Sequence, residues 1–364
     1  MNIRTFFEQK IYSSLSEESF FKRFFLFPLY LIALFYRLLI QLRHNFYKTG
    51  VLKSYSLPCR VISVGNITMG GTGKTPTVIY LAQMFKEKGM KTAVLSRGYK
   101  GKSAEKVAVV SNGERILLNV QDAGDEPFLL AKALPGVPVI IGSNRVFSGH
   151  YALEHFSPEI LLLDDGFQHL KLKREVDILL IDLHYGFGNG HLLPRGILRE
   201  PLNHLNRAHL FLLTKRTDSH DDKAIVEKIK SYNPDAQIFF AGYEIKCITT
   251  LKEEKEIDHS KLKGKKVLAL SGIANPNYFS YLLGHHGMCV TEERRMSDHY
   301  CYTPHDASTL SEYLNRIDFI VTTAKDSVKM DKEVFKKLPI LVLEIMLKIR
   351  DEQAFKKALF KFIA

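Results

Sequence analysis

The sequence predicts an α/β protein built on a parallel sheet with helices on both faces, and three observations carry that prediction. Short apolar runs that read as buried strands alternate along the chain with segments of helical periodicity. The first such run, 60–64, passes directly into a glycine-rich turn and then into a segment with Val78, Leu81, Ala82 and Phe85 at helical spacing. A second, shorter series of the same kind begins near residue 266. A chain of 364 residues with 46% apolar and 25% charged residues can bury two α/β cores. The four cysteines, Cys59, Cys247, Cys289 and Cys301, show no paired spacing, so neither a disulfide framework nor a zinc site is expected.

The N-terminal region is basic and apolar. Residues 1–60 hold nine Lys or Arg against three Glu, out of a formal net charge of +12. Within it, 24–36 is an uncharged stretch of thirteen residues, flanked by Lys22-Arg23 and by Arg37 and Arg43. Thirteen residues are short of the roughly 20 that a spanning helix needs. Extended to Leu42 the run is interrupted by Arg37 alone, which could snorkel. Three readings are open: an interfacial helix, a spanning anchor and a buried core helix. The basic flanks favour an acidic membrane surface. No arginine–aromatic pattern points to nucleic acid.

The turn after the first strand is the chain's most specific motif. In Gly65-Asn-Ile-Thr-Met-Gly-Gly-Thr-Gly-Lys-Thr-Pro76, the segment Met69, Gly70, Gly71, Thr72, Gly73, Lys74, Thr75 lets successive backbone N–H groups converge on an anion at a helix N-terminus. Lys74 can reach the outer phosphates of a nucleoside triphosphate, and the Thr75 hydroxyl can ligate Mg²⁺. Thr68 occupies the first glycine position of the strict phosphate-loop pattern, and Met69 that of the first lysine of the deviant form. Together with the strand before and the helix after, the motif makes the fold P-loop NTPase-like.

Further strands are expected near 91–96, 107–111, 137–142, 159–164, 176–183 and 208–214, with helices at 126–134, 145–156 and, after the polar stretch from Thr217, at 222–231. Short β-like runs and the charged segment 252–256 mark a change of character. The second unit reads as strand 266–271, helices 276–284 and 304–316, strands 318–323 and 339–345, and a terminal helix at 351–362. The domains expected are therefore an N-terminal helical region (1–50), a P-loop domain (51–235) and a smaller α/β domain (236–364).

Several motifs can carry chemistry. The run 160–163 ends in Asp164-Asp165, and a carboxylate at a strand end beside a phosphate loop is the usual second Mg²⁺ anchor. Which of the two touches metal is open. Gly124-Asp125-Glu126-Pro127 precedes an apolar helix; Asp125 is either a simple cap or an acceptor for the proton of an attacking hydroxyl. Asp298-His299-Tyr300 could meet Asp125 across a cleft between the domains. Arg97, in Ser96-Arg97-Gly98-Tyr99, and Arg199 and Glu200, in the loop 194–201, lie at strand ends where an anionic ligand would sit. His285-His286 with Gly287 reads as a helix end.

Taken in order, the motifs VGNITMGGTGKTP, SRGYKG, GDEP, DDGFQH, PRGILREP, DHY and TTAKDSVK resemble the tetraacyldisaccharide 4′-kinases of the lipid A pathway. The likeness covers essentially the whole chain. It implies transfer of the ATP γ-phosphate to the 4′-hydroxyl of a tetraacylated disaccharide 1-phosphate, giving lipid IVA. It further implies that Asp125 and His299 match the family's catalytic pair, that Lys74, Thr75, Asp164, Asp165 and Glu200 fall on phosphate- and metal-binding positions, and that Arg97, Arg145, Gln168 and Arg199 fall on phosphate or substrate positions. At Ala324 the chain departs from the family pattern, which has Glu. ATP and Mg²⁺ are the expected cofactors, and a glycolipid and an anionic membrane surface the expected partners. The chain is expected to act as a monomer at the cytoplasmic face of a bacterial inner membrane. The alternative class is a switch-type ATPase or GTPase acting as a partner-binding module. It would need [NT]-K-x-D for guanine, whereas Thr214-Lys215-Arg216-Thr217-Asp218 places the acid one residue late.

Overall fold

Twelve strands, β1 to β12, line up in one sheet of order β10-β9-β11-β12-β8-β7-β6-β1-β5-β2-β4-β3 among the described residues. The structure is a computed structural model that describes residues 20–99, 101, 105–215 and 222–363, with the backbone alone for 20–25. Residues 1–19, the side chains of Lys22 and Arg23, Lys100 of the SRGYKG motif, and Arg216, Thr217 and Asp218 lie outside that description.

In the first half of the chain β1 (Arg60–Gly65), β2 (Thr92–Ser96), β4 (Val139–Ile141), β5 (Ile160–Asp164), β6 (Val176–Asp182) and β7 (Leu210–Thr214) are parallel, with β3 (Ala108–Ser111) antiparallel at the edge. Because helices cover both faces, these strands are buried on both sides and read as unbroken apolar runs. Ile62 and Val64 of β1, with Ile160 and Leu162 of β5, pack under the helices Lys74–Glu87, Asp125–Ala133 and Glu352–Ile363. Val61, Leu161 and Leu163 face the helix Arg145–Phe156 on the other side. β1 lies between β5 and β6, so the chain leaves it in one direction along the sheet and later returns on its other side. The crevice at the carboxyl end of β1 is the ligand-binding position of such sheets.

β8 (Gln237–Thr250) is one fourteen-residue strand, where the sequence suggested short separate runs. Its first residues pair in parallel with β7 and its remainder pairs antiparallel with β12 (Ile340–Ile349). Beyond them β9 (Lys266–Ser271), β10 (Cys289–Arg295) and β11 (Phe319–Thr323) complete a second parallel set. β10 escaped prediction because it is an edge strand of sequence CVTEERR with no buried residue. The helix expected over 304–316 stops at Ser311, capped at its start by a reciprocal Thr303–Asp306 box.

The N-terminal helix runs from Phe20 to Lys48, through Pro28. Ala33, Tyr36 and Ile40 pack on the body beside Phe167 and Leu198. The opposite face shows Leu31, Phe35 and Leu38 at 50%, 62% and 54% exposure, so the buried-core reading of this segment is overturned.

The terminal helix closes the core: Phe355 is fully buried, its ring 5.3 Å from Phe239 and 6.4 Å from Tyr80. Phe355→Ala should cost about 3–5 kcal/mol of stability, read from urea unfolding.

Candidate active site

A cleft of about 510 Å³ opens at the carboxyl end of β1, between the glycine-rich loop and the second parallel set. That volume falls in the usual range of small-molecule sites. Met69 to Thr75 form its floor, Tyr243, Tyr278, Phe279 and Leu282 an apolar wall, and Asp298, His299 and Lys325 the far side.

The loop is held by its neighbours through main-chain and charged contacts. The Met69 amide donates to Ile197 O and the Arg199 amide to Ile67 O, both at 2.7 Å. Gly70 and Gly73 adopt positive φ of 102° and 93°, which glycine adopts without Cβ strain. A Cβ at Gly73 would also strike the Tyr243 hydroxyl. On the far side Thr214 Oγ1 donates to Thr72 O at 2.9 Å, and Lys215 Nζ, paired with Asp182 at 2.6 Å, donates to Gly71 O. Lys215 was met in the sequence only as part of a failed guanine motif; its place is set by β7 running beside β6.

Lys74 points back across the loop, 3.7 Å from Asp165 Oδ1 and 3.4 Å from Asn66 Oδ1. Arg199 Nη1 donates to both Asp165 oxygens at 3.0 and 3.1 Å, and to Asn66 Oδ1 at 3.1 Å. Burial alone would raise the Asp165 pKa, but Lys74 and Arg199 outweigh it and hold the carboxyl below its usual range. Asp164 behaves oppositely. Burial, with the charges of Glu126 and Asp165 nearby, pushes it up to about 7. Its Oδ2 accepts from Ser96 Oγ at 3.0 Å, while Oδ1 is buried without a hydrogen-bond partner.

Across the cleft His299 Nδ1 lies 2.7 Å from Asp125 Oδ2 and 3.0 Å from Oδ1. Asp125 opens the helix Asp125–Ala133, whose N-terminal dipole favours a carboxylate. Burial pushes the Asp125 pKa up, but the His299 hydrogen bond and the charge of Lys325 outweigh it, so the group is ionised at neutral pH. His299 holds a left-handed φ of 61°, a conformation that costs a side-chain-bearing residue on the order of 1–3 kcal/mol. The Tyr99 ring lies 5.6 Å from the imidazole.

His299, Met69 to Thr75, Asp164, Asp165, Arg97 and Arg199 therefore all line one cleft, and Asp125, buried behind the lining residue Glu126, meets it through His299. Three expected residues stand apart from it. Arg145 is buried below it, donating to Gly142 O at 3.1 Å, with its pKa pushed down to about 10 by burial. Gln168 turns its amide to Asn66 O at 2.8 Å. Glu200 is buried against Arg207 at 2.5 Å and His204 at 2.7 Å, and faces the N-terminal helix through His44, whose ring is 4.6 Å from that of His204. The family resemblance pointed to all three residues but could not say which way their side chains turn.

A family model described as tetraacyldisaccharide-1-P 4′-kinase matches residues 25–364. A tetraacyldisaccharide 4′-kinase of Halothermothrix orenii is 42% identical over 346 residues, covering 89% of each chain. One from Syntrophus aciditrophicus is 38% identical over 334 residues, again with 89% of each chain covered. Among solved structures, LpxK from Aquifex aeolicus in complex with ATP superposes with a TM-score of 0.73 at 33% identity, covering 94% of this chain and 99% of that one.

The buried Glu200 cluster makes a stability test. Arg207→Met would leave a buried carboxylate short of its cation and should cost about 3–5 kcal/mol in urea unfolding.

Proposed function

Since the chain belongs to the tetraacyldisaccharide-1-P 4′-kinase family, we propose that it transfers the γ-phosphoryl group of ATP to the 4′-hydroxyl of a tetraacyldisaccharide 1-phosphate, with Asp125 as the base. It is a kinase of lipid A biosynthesis. The switch-type alternative is not favoured, because the relatives that span about nine tenths of the chain are kinases.

The assignment of roles rests on one observation, the Asp125–His299 contact facing the Lys74 loop across a single cleft. In this reading the loop amides and Lys74 hold the triphosphate, and Arg97 and Arg199 face its outer oxygens. The 4′-oxygen attacks the γ-phosphorus, the bond from that phosphorus to the β–γ bridging oxygen breaks, and ADP leaves. The proton of the hydroxyl passes to Asp125, while His299 orients the carboxylate and spreads the added charge. Because the transition state of phosphoryl transfer is loose, the alcohol loses its proton late, and a carboxylate of low basicity suffices. Positioning and neutralisation supply most of the rate, the base about 10²–10⁴-fold.

The donors beside the loop also fit a divalent, oxygen-seeking cation. The unpartnered Asp164 Oδ1, the Asp165 carboxylate and the Thr75 hydroxyl are hard ligands, and an ion there would relieve the carboxyl pair. We assign Mg²⁺ to Thr75, Asp164 and Asp165, and leave out Glu200, whose charge is committed to Arg207. Bound there, the ion would supply neutralisation of the triphosphate oxygens.

The acceptor's acyl chains belong in a bilayer, which accounts for the exposed apolar face of the N-terminal helix and its basic flanks. Its length and composition would permit a span, but continuous packing of Ala33, Tyr36 and Ile40 on the body favours a helix lying in the interface. ATP use puts that interface on the cytoplasmic side of the inner membrane.

Two outcomes are expected. Asp125→Asn should lower kcat by about 10²–10⁴-fold with ATP affinity unchanged, measured by radiolabelled transfer in mixed micelles with GTP as competing donor, and by calorimetry; wild-type turnover would remove the base. Replacing Leu31, Phe35 and Leu38 together by Glu should abolish co-sedimentation with anionic vesicles while ATP binding persists; unchanged partitioning would place the anchor elsewhere.

A further inference from the structure

Lys325 has no part in the roles assigned above, although it stands between the two halves of the catalytic pair. It lies in the short helix Ala324–Ser327, whose backbone is fixed to the sheet. Thr323 Oγ1 donates to Asp326 Oδ2 at 2.7 Å, the Gly272 amide donates to the same oxygen at 3.0 Å, and Lys329 Nζ donates to Asp326 Oδ1 at 2.9 Å. Asp326 is fully buried, so this turn is tied to the segment that leaves β9.

From that platform the Lys325 ammonium donates to Glu126 Oε1 at 2.9 Å and to Asp298 Oδ1 at 3.1 Å. Glu126 directly follows Asp125, and Asp298 directly precedes His299. The same Asp298 oxygen accepts the His299 amide at 3.1 Å, which supports the left-handed turn that aims the imidazole. One cation therefore clasps both segments that must meet for Asp125 and His299 to touch. The Lys325 side chain is 19% exposed, so its charge is only partly screened by water.

We propose that Lys325 is a positioning residue for the phosphoryl transfer: by bridging Glu126 and Asp298 it holds His299 against Asp125 and completes the catalytic pair. The inference rests on the reading of Asp125 as the base. A lysine acting directly on the triphosphate would serve substrate binding; a clasp serves turnover, and the two separate in kinetics. Among the described residues, His299, Lys325 and Lys329 are the charged or titratable groups that lower the Asp125 pKa most, and Glu126 and Asp298 are the carboxylates beside the pair. Each cation favours the ionised carboxylate, so removal of one raises its pKa and moves the acid limb of kcat/KM to higher pH.

The test uses the full-length enzyme in mixed micelles, with Lys325→Met, Lys325→Arg, Asp298→Asn and the Lys325→Met/Asp298→Asn pair. Lys325→Met should lower kcat on the order of 10²-fold, as loss of alignment does, and shift the acid limb upward. Its KM for ATP should stay within about twofold of wild type. Lys325→Arg should recover most of kcat and restore the limb, and the double variant should add little to Lys325→Met, because both break one clasp. Should Lys325→Met not fold, Lys325→Arg and Asp298→Asn carry the same comparison. Wild-type kcat and pH profile in Lys325→Met would overturn the proposal, as would a rise in KM for ATP at unchanged kcat. An arginine variant no more active than the methionine one, with equally lowered Tm, would overturn it too. An active Asp125→Asn enzyme would instead sink the assignment of the base; an inactive one beside an unaffected Lys325→Met enzyme would sink this inference alone.

Discussion

The contact between Asp125 and His299 sets the terms for the rest of the molecule. The two residues are 174 positions apart and stand on separate parallel sets of strands, yet a hydrogen bond of 2.7 Å tolerates little drift. Two features hold them in register. β8 and β12 run through both sets as one long antiparallel pair, so the halves share a continuous backbone ladder. Closer in, the turn bearing Lys325 is pinned by the Thr323 cap and the buried Asp326 carboxylate, and from it Lys325 ties Glu126 to Asp298.

Charge in the cleft follows one rule, that a buried ion is kept only with a partner. Asp165 has Lys74 and Arg199, Asp182 has Lys215, and Asp125 has His299. Asp164 is the exception: one oxygen has only the Ser96 hydroxyl and the other has nothing. That imbalance is what a cationic ligand would correct, and it sits beside the loop whose amides suit an anion. On the proposed function, an anion and a cation would arrive there together.

The exposed helix is coupled to the same loop. Tyr36 donates to Arg199 O at 3.3 Å and Arg43 to Gln168 O at 3.0 Å, while Arg199 in turn grips Asp165. The apolar face turned outward and the phosphate loop therefore share a short chain of hydrogen bonds. On the proposed function, such an arrangement would keep the depth of the cleft fixed relative to a membrane surface.

Much of this was readable from residues alone, for a physical reason. Strands buried on both faces need unbroken apolar runs, so β1, β2, β5, β6, β7 and β9 announce themselves, and a phosphate loop needs glycine where φ is positive, so Gly70 and Gly73 stand out. What only the tertiary structure decided is direction. β10 carries charge because it is an edge strand, and β8 is one strand because its two halves have different neighbours. Arg145 and Glu200 turn inward to carbonyl and cation partners, while Lys325, placed late in the chain, reaches Glu126 nearly two hundred residues earlier. Local periodicity encodes which face of an element is apolar; which distant charge a side chain will meet depends on how the strands are ordered in the sheet, and no local pattern carries that order.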